Sequence, residues 1–298
     1  MCTAGLGNLS NLVARHDATL GARIAESFEL RHRSGWYVRA GSALVQVGDR
    51  LLAVQDDSLA VVWIDPATRA LDTLVLGGTG GALSKTGKPD FEAAFVHAGS
   101  VWILGSGTTP NRRRFARIDP GQAPTLLDRG PLYDAVAEAI AMPPNIEGAV
   151  PLPGCLRLFH RGPGRKRGAN FAIDVPLAVL TGGAPRILSL TALDLGTLGG
   201  LSLGVTDAVV LADGRIVYLA VAEDTPDGIA DGPVAGAAVG ILAEDGGRWA
   251  QLVERDGKPS MRKVEGIVLN PDGTDGWLLT DPDDASLPAE LCRVELDF

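Results

Sequence analysis

The chain has 298 residues and a formal net charge of −9, with 46% hydrophobic residues, 38 glycines and 19 prolines. The acidity excludes a general nucleic-acid binder, which needs a basic face. Three cysteines (Cys2, Cys155, Cys292) without a CxxC pair exclude a zinc ribbon and give no disulfide framework.

The first twenty residues, MCTAGLGNLSNLVARHDATL, lack a basic segment followed by an apolar one. No run in the chain is apolar for long enough to span a bilayer. The expectation is a cytoplasmic protein, with export through a removed signal as the other case, and without a membrane partner. Residues 23–31, RIAESFELR, read as a strand. From Ser42 a unit begins, SALVQVGDRLLAVQDDSLAVVWID, and related units follow from Glu92 (EAAFVHAGSVWILGSG), Glu147 (EGAVPLPGCLRLFHRG), Asp207 (DAVVLADGRIVYLAVA) and Glu265 (EGIVLNPDGTDGWLLT). Successive starts lie 50, 55, 60 and 58 residues apart. Each unit has a short strand, a tight glycine turn, an apolar strand, a longer polar loop and a third strand. A fourth strand follows in the first four units. Only 134–141 (DAVAEAIA) reads as helical.

Four antiparallel strands repeated at this spacing are the signature of a propeller blade. The predicted fold is all-β: one five-bladed β-propeller over residues 1–298, built of four-stranded blades. The last unit ends at Phe298 after its third strand, so residues 23–31 are expected to complete that blade and close the ring, which removes an open edge. A β-sandwich and a six-bladed ring, with a further blade within residues 1–40, are the alternatives.

In a propeller the first strand of each blade lines the channel. Glu92, Glu147, Asp207 and Glu265 should then ring one mouth, with Ser42 in the fifth place. Like charges held together raise one another's pKa values or demand a counter-cation. Oxygen donors of this kind suit Ca²⁺ ahead of Mg²⁺ or Mn²⁺. Lys88 and Lys263 offer internal neutralisation instead, and backbone N–H groups of a neighbouring blade would make the acids packing devices. The loops between second and third strands share this face. Two are basic, TTPNRRR (108–114) and RGPGRKRG (161–168), so Arg112, Arg114, Arg165 and Arg167 are candidates to hold an anion. Three are acidic: QDD (55–57), AEDTPDG (222–228) and TDPDD (280–284). The last brings Asp281, Asp283 and Asp284 together as a possible second cation loop, although Pro282 breaks the EF-hand pattern.

No nucleophile elbow is present, and GALSKTGK (81–88) fails as a phosphate loop because its spacing is one residue too long and Pro89 follows. Of four scattered histidines, only His160, beside a basic loop, is placed to face the mouth. The catalytic candidates are Glu147, Glu265 and His160.

The motifs KPDFEA, GSGTTPNRRR, NIEGA, KVEG and TDPDD together resemble a family of uncharacterised bacterial propeller proteins over about residues 85–298. More remotely, the plan is similar to the calcium-activated nucleotidase (apyrase) propellers, and to phytase-like and esterase-like propellers that share the Glu-Gly pair before a strand. The nucleotidase resemblance implies a central Ca²⁺ on Glu92, Glu147, Asp207 and Glu265 and hydrolysis of nucleotide phosphates. Asn170 is a further match, grouped here with the substrate-binding residues, while Ser42 departs from a full ring of acids. The expected function is a Ca²⁺-dependent hydrolase of a small anionic ester, a phosphoester first. The alternatives are a non-catalytic ligand-binding or protein-interaction propeller, and a lactonase-like enzyme that would not need the basic loops. Composition leaves the oligomeric state open.

Overall fold

The computed structural model describes residues 10–165, 169–225, 232–243 and 246–298. It opens with two strands, β1 (Ser10–His16) and β2 (Gly21–Glu29). An antiparallel set follows: β3 (Gly41–Val47), β4 (Arg50–Gln55), β5 (Ala60–Asp65) and β6 (Ala70–Val75). The next contains β7 (Phe91–His97), β8 (Ser100–Gly105), β9 (Arg114–Ile118) and β10 (Thr125–Asp128). Helix α1 (Gly130–Ile140) leads into β11 (Ile146–Leu152), β12 (Cys155–His160), β13 (Asn170–Pro176) and β14 (Ser189–Asp194). After the short β15 (Thr197–Leu198) come β16 (Leu201–Val210), β17 (Ile216–Glu223), β18 (Val234–Ala243) and β19 (Gly246–Val253). The chain ends with β20 (Val264–Leu269), β21 (Asp275–Thr280) and β22 (Glu290–Asp297).

Antiparallel to β22 lies β2, with Gly21 opposite Asp297 and Glu29 opposite Glu290. The first strands of successive sets are neighbours in space. β3 lies beside β7, β7 beside β11, β11 beside β16, β16 beside β20, and β20 beside β3. The architecture is all-β and propeller-like. Short strands that bury apolar side chains on both faces, such as RLLAVQ in β4 and SVWILG in β8, pack sheet against sheet. Small residues permit the close approach at the centre: a Cβ on Gly266 would lie 2.7 Å from the backbone nitrogen of Leu44.

Two local differences from the sequence reading have clear reasons, and a third concerns the cysteines. β1 runs parallel to both β14 and β19, joining two sets at their outer edges. It lies outside the repeat, so repeat spacing carries no sign of it. α1 starts at Gly130, four residues before the periodic apolar pattern, because Pro131 occupies the first turn, where its missing N–H costs nothing. Cys155 is disulfide-bonded, whereas Cys292 is free and buried. Among the described residues no helix is long and apolar enough to cross a membrane.

Candidate functional site

Every inner strand carries a β-bulge, at its entry in four of them and midway along β16. The register skips one residue between Gly41 and Ala43, Phe91 and Ala93, Ile146 and Gly148, Val205 and Asp207, and Val264 and Gly266. The unpaired residues are Ser42, Glu92, Glu147, Thr206 and Glu265. A bulge re-aims the side chain of the extra residue. Here Ser42, Glu92, Glu147 and Glu265 line a cavity of about 80 Å³ at one mouth of the channel. The repeated acid is therefore the bulge residue.

The fourth set corrects the sequence reading. Its ring position is Thr206, not Asp207. Thr206 Oγ1 donates to the Val264 carbonyl at 2.7 Å, as Ser42 Oγ donates to the Phe91 carbonyl at 2.6 Å. Each hydroxyl ties its strand to the residue preceding the next glutamate of the ring. Asp207 points elsewhere: its carboxylate accepts the N–H of Ala208 at 2.7 Å and of Ile267 at 2.9 Å, and it does not line the cavity. It is a packing device between β16 and β20.

A second tier of polar residues stands above the ring, built by one repeated backbone bond. The N–H groups of Asp56, Ser106, Arg161 and Asp281, each just past a second strand, donate to the carbonyls of Ala40, Asp90, Asn145 and Lys263 at 2.8–3.1 Å. Six of these residues, Asp56, Asp90, Asn145, Arg161, Lys263 and Asp281, line the cavity, and Glu223, Lys85, Lys88 and Arg112 complete its charged lining.

Most of these charges are matched internally. Lys88 Nζ bonds Asp56 and lies 2.9 Å from Asp90. Arg112 donates to Asp90 at 2.7 Å, to Thr108 at 2.9 Å and to the Lys85 carbonyl at 3.0 Å, and Ser106 also donates to Asp90. Lys263 pairs with Asp283 at 2.7 Å and also stands 3.6 Å from Glu265. Arg161 bonds Glu223, while its Nη1 stands 3.8 Å from Glu147 and 3.7 Å from Glu265, too far for hydrogen bonds. Among the described residues Glu147 accepts a hydrogen bond from Asn145 alone, at 2.7 Å. Glu265 is 4% exposed and both its carboxylate oxygens are buried without a hydrogen bond.

Burial, reinforced by neighbouring carboxylates, pushes Glu92 well above the usual carboxylate range; burial does the same to Glu265 against the pull of Lys263 and Arg161, and moves Glu147 upward against the pull of Arg161. Burial also pushes Asp281 up to about 7. The lining holds two more carboxyl groups than basic ones. Fully ionised, it would carry the charge that one divalent cation neutralises.

Two regions of the lining differ in their fitness for a cation. Asp56, Asp90 and Glu92 bring carboxylate oxygens within 4.8 Å of one another. The Lys88 ammonium is already held against two of them. On the other side, Glu147 and Glu265 face Arg161 Nη1 across a gap that no hydrogen bond closes.

The remaining predicted residues disperse. Arg112 reaches the cavity but is tied to Asp90. Arg114 lies on β9 opposite Asp128, outside the lining. Arg165 is exposed and pairs with Asp224 at 2.5 Å. Arg167 lies outside the described residues. Asn170 is buried, accepting from the N–H of Gly162 and Val205 and donating to the Leu203 carbonyl at 2.9 Å, which stitches β13 to β16. His160 is also buried away from the lining. Its Nδ1 accepts the Asn145 N–H at 2.9 Å, and desolvation lowers its pKa to about 4. In the acidic loop 280–284, Asp283 pairs with Lys263 and Asp284 accepts from Ser286, so only Asp281 lines the cavity.

Sequence reasoning missed Asp90 and Asn145 and read Lys263 only as a neutraliser. The signal for all three was present: each stands two residues before a ring glutamate, in PDFE, NIE and KVE.

A family model matches residues 37–296. The chain belongs to the family of unknown function DUF6929. No curated protein matches the sequence. Among solved structures, the chain is similar to MPT-4, a mannose phosphorylase from Leishmania mexicana in complex with phosphate ion. The TM-score is 0.51 and the identity 14%, over 91% of this chain and 88% of that one. It is also similar to a putative exo-beta-1,3-galactanase from Bifidobacterium bifidum s17 (TM-score 0.49, 13% identity, 93% and 96% coverage). A streptogramin B lyase structure gives a TM-score of 0.45 at 10% identity, covering 91% of this chain and 98% of that one. At these identities the likeness shows the fold alone.

Proposed function

We propose that the chain forms one five-bladed propeller closed by β2, and that the mouth ringed by Glu92, Glu147 and Glu265 is a divalent-cation site, with Ca²⁺ the first choice. On this reading the protein is a cation-dependent hydrolase of a small anionic ester, a phosphoester ahead of a lactone. The observation that carries the reading is Glu265: a buried carboxylate with no hydrogen bond to either oxygen, its cations held off at 3.6 Å (Lys263) and 3.7 Å (Arg161), at a ring position shared with two other glutamates. A buried carboxylate without hydrogen bonds is costly, so such a group calls for a closer partner. The excess of two carboxyls in the lining fits a divalent ion. When bound, a cation of this kind lowers the pKa of a coordinated water and neutralises charge as it develops.

The chain's own residues would then divide the work. Glu147, oriented by Asn145, and Glu265 are the groups placed to accept a proton at the ring. The anionic end of the substrate would meet Arg161 and Lys263 rather than the exposed Arg165. The cavity of about 80 Å³ admits only the reacting head group, so the rest of the substrate would lie outside it. Internal pairing favours a second reading, a non-catalytic ligand-binding propeller, because Lys88, Arg112 and Arg161 already satisfy Asp56, Asp90 and Glu223.

The test is a thermal melt of chelator-stripped protein with and without millimolar Ca²⁺, followed by a screen of phosphoesters and lactones in calcium. A ligand at one hundred times its Kd stabilises the folded state by about 2.7 kcal/mol. A calcium-dependent rise of several degrees, lost in Glu265→Gln and in Glu147→Gln, is expected. The absence of any rise with Ca²⁺, Mg²⁺ or Mn²⁺ would overturn the cation site and leave the binding module.

A further inference from the structure

The inner strands place a polar side chain two residues before the ring position in three sets: Asp90, Asn145 and Lys263. In the set of β16 that position is Gly204. The space is filled from the neighbouring set, by the arm of Arg161. A Cβ on Gly204 would lie 3.0 Å from Arg161 Nε and 3.1 Å from its Cγ. Lying across this glycine, the guanidinium spans three acids of three different strands: Glu223 by a hydrogen bond, Glu147 at 3.8 Å and Glu265 at 3.7 Å. The Arg161 side chain is 12% exposed, so its charge acts in a poorly screened setting.

We propose that Arg161 is a tethered counter-cation, seated by Gly204, that competes with a divalent ion for Glu147 and Glu265 and so sets how tightly the mouth binds one. The inference rests on the cation-site reading above. Its charge stands where an ion's charge would, yet it completes no hydrogen bond to either glutamate. Its bond to Glu223 holds it beside the gap rather than in it. Removing the guanidinium while leaving the ring intact should therefore free Glu147 of its ion-pair partner and leave Glu265 facing Lys263 alone, at 3.6 Å, so that both carboxylates become more open to the ion.

The experiment is calorimetric titration with CaCl₂ of chelator-stripped wild type, Arg161→Met, and the double variant Arg161→Met/Glu223→Gln. The double variant removes an acid with the base, so the formal charge of the lining is unchanged and Glu223 is not left as an unpaired buried anion; it carries the test if the single variant does not fold. The expected result is calcium affinity at least tenfold tighter than wild type, about 1.4 kcal/mol, in the double variant and in the single variant where it folds. Wild-type binding with unchanged or weaker binding in the variants would overturn the role of Arg161 and leave the cation site standing. Binding by the variants alone would support the competition and overturn calcium as the wild-type ligand. Binding by none of the three would overturn both.

Discussion

His160 should make the protein acid-sensitive between pH 6.5 and 4. Its Nδ1 accepts the backbone N–H of Asn145, so the neutral ring carries its proton on Nε2, which is buried without an acceptor. Protonating Nδ1 would break the bond to Asn145 and leave a cation in an apolar setting beside Phe171. Desolvation accordingly lowers the folded-state pKa to about 4, against 6.5 for the ordinary side chain. Between those values the unfolded chain binds the extra proton and the folded chain does not. The stabilisation is therefore complete above about pH 6.5 and is lost as the pH falls toward 4. At pH 5 the loss from this residue is about 2 kcal/mol, and at still lower pH it approaches about 3.4 kcal/mol, from 1.36 kcal/mol per unit. The assay is urea unfolding of wild type and His160→Gln at pH 7.5 and pH 5. Glutamine offers an oxygen to the same N–H but does not titrate, and the carboxylates of the mouth change protonation in both proteins, so their contribution cancels in the difference. Wild type should lose about 2 kcal/mol more than the variant between the two pH values. Parallel losses, within about 0.5 kcal/mol, would refute a neutral, desolvated His160.

Two further outcomes separate packing from function. Asp207→Ala strands the buried N–H groups of Ala208 and Ile267 and should cost about 3 kcal/mol in urea unfolding, at about 1–3 kcal/mol per orphaned donor. The same variant should leave calcium affinity unchanged; a loss comparable to that of Glu265→Gln would return Asp207 to the ring. Gly107 sits at φ +85°, and a Cβ there would lie 2.2 Å from Cδ1 of buried Tyr133. Gly107→Ala should therefore destabilise by more than about 2 kcal/mol through backbone strain and overpacking together, read as a lower urea midpoint.

The repeat was legible because its two marks, an acid and a following apolar strand, are local in sequence. Three of the four acids chosen on that basis line the mouth. The fourth failed for a definite reason: Thr206 holds the ring position by donating its hydroxyl to the Val264 carbonyl, and the acid beside it is turned to the backbone N–H groups of Ala208 on its own strand and Ile267 on β20. Sequence alignment on charge cannot see a bulge, which shifts the facing of a side chain by one residue without changing the spacing of the strands. The arginine loops were misread for a related reason. Periodicity fixes which way a strand residue points, but not a loop residue, and so Arg112 turns inward to Asp90 while Arg165 turns outward to Asp224.

What the sequence had no means of showing is the exchange between sets. Gly204 looks like a gap in the repeat and Arg161 like one more member of a basic loop. Only the fold brings the glycine's empty side-chain space under the arginine's arm, and with it a positive charge beside two glutamates that belong to other strands. The mouth is therefore not a ring of equivalent acids around a free centre. It is an asymmetric site, with the Asp56, Asp90 and Glu92 side closed by Lys88 and the Glu147 and Glu265 side left short of hydrogen bonds at Glu265. A ligand that lowers the free energy of this protein by charge neutralisation gains most on that second side, because there both oxygens of Glu265 still lack hydrogen bonds.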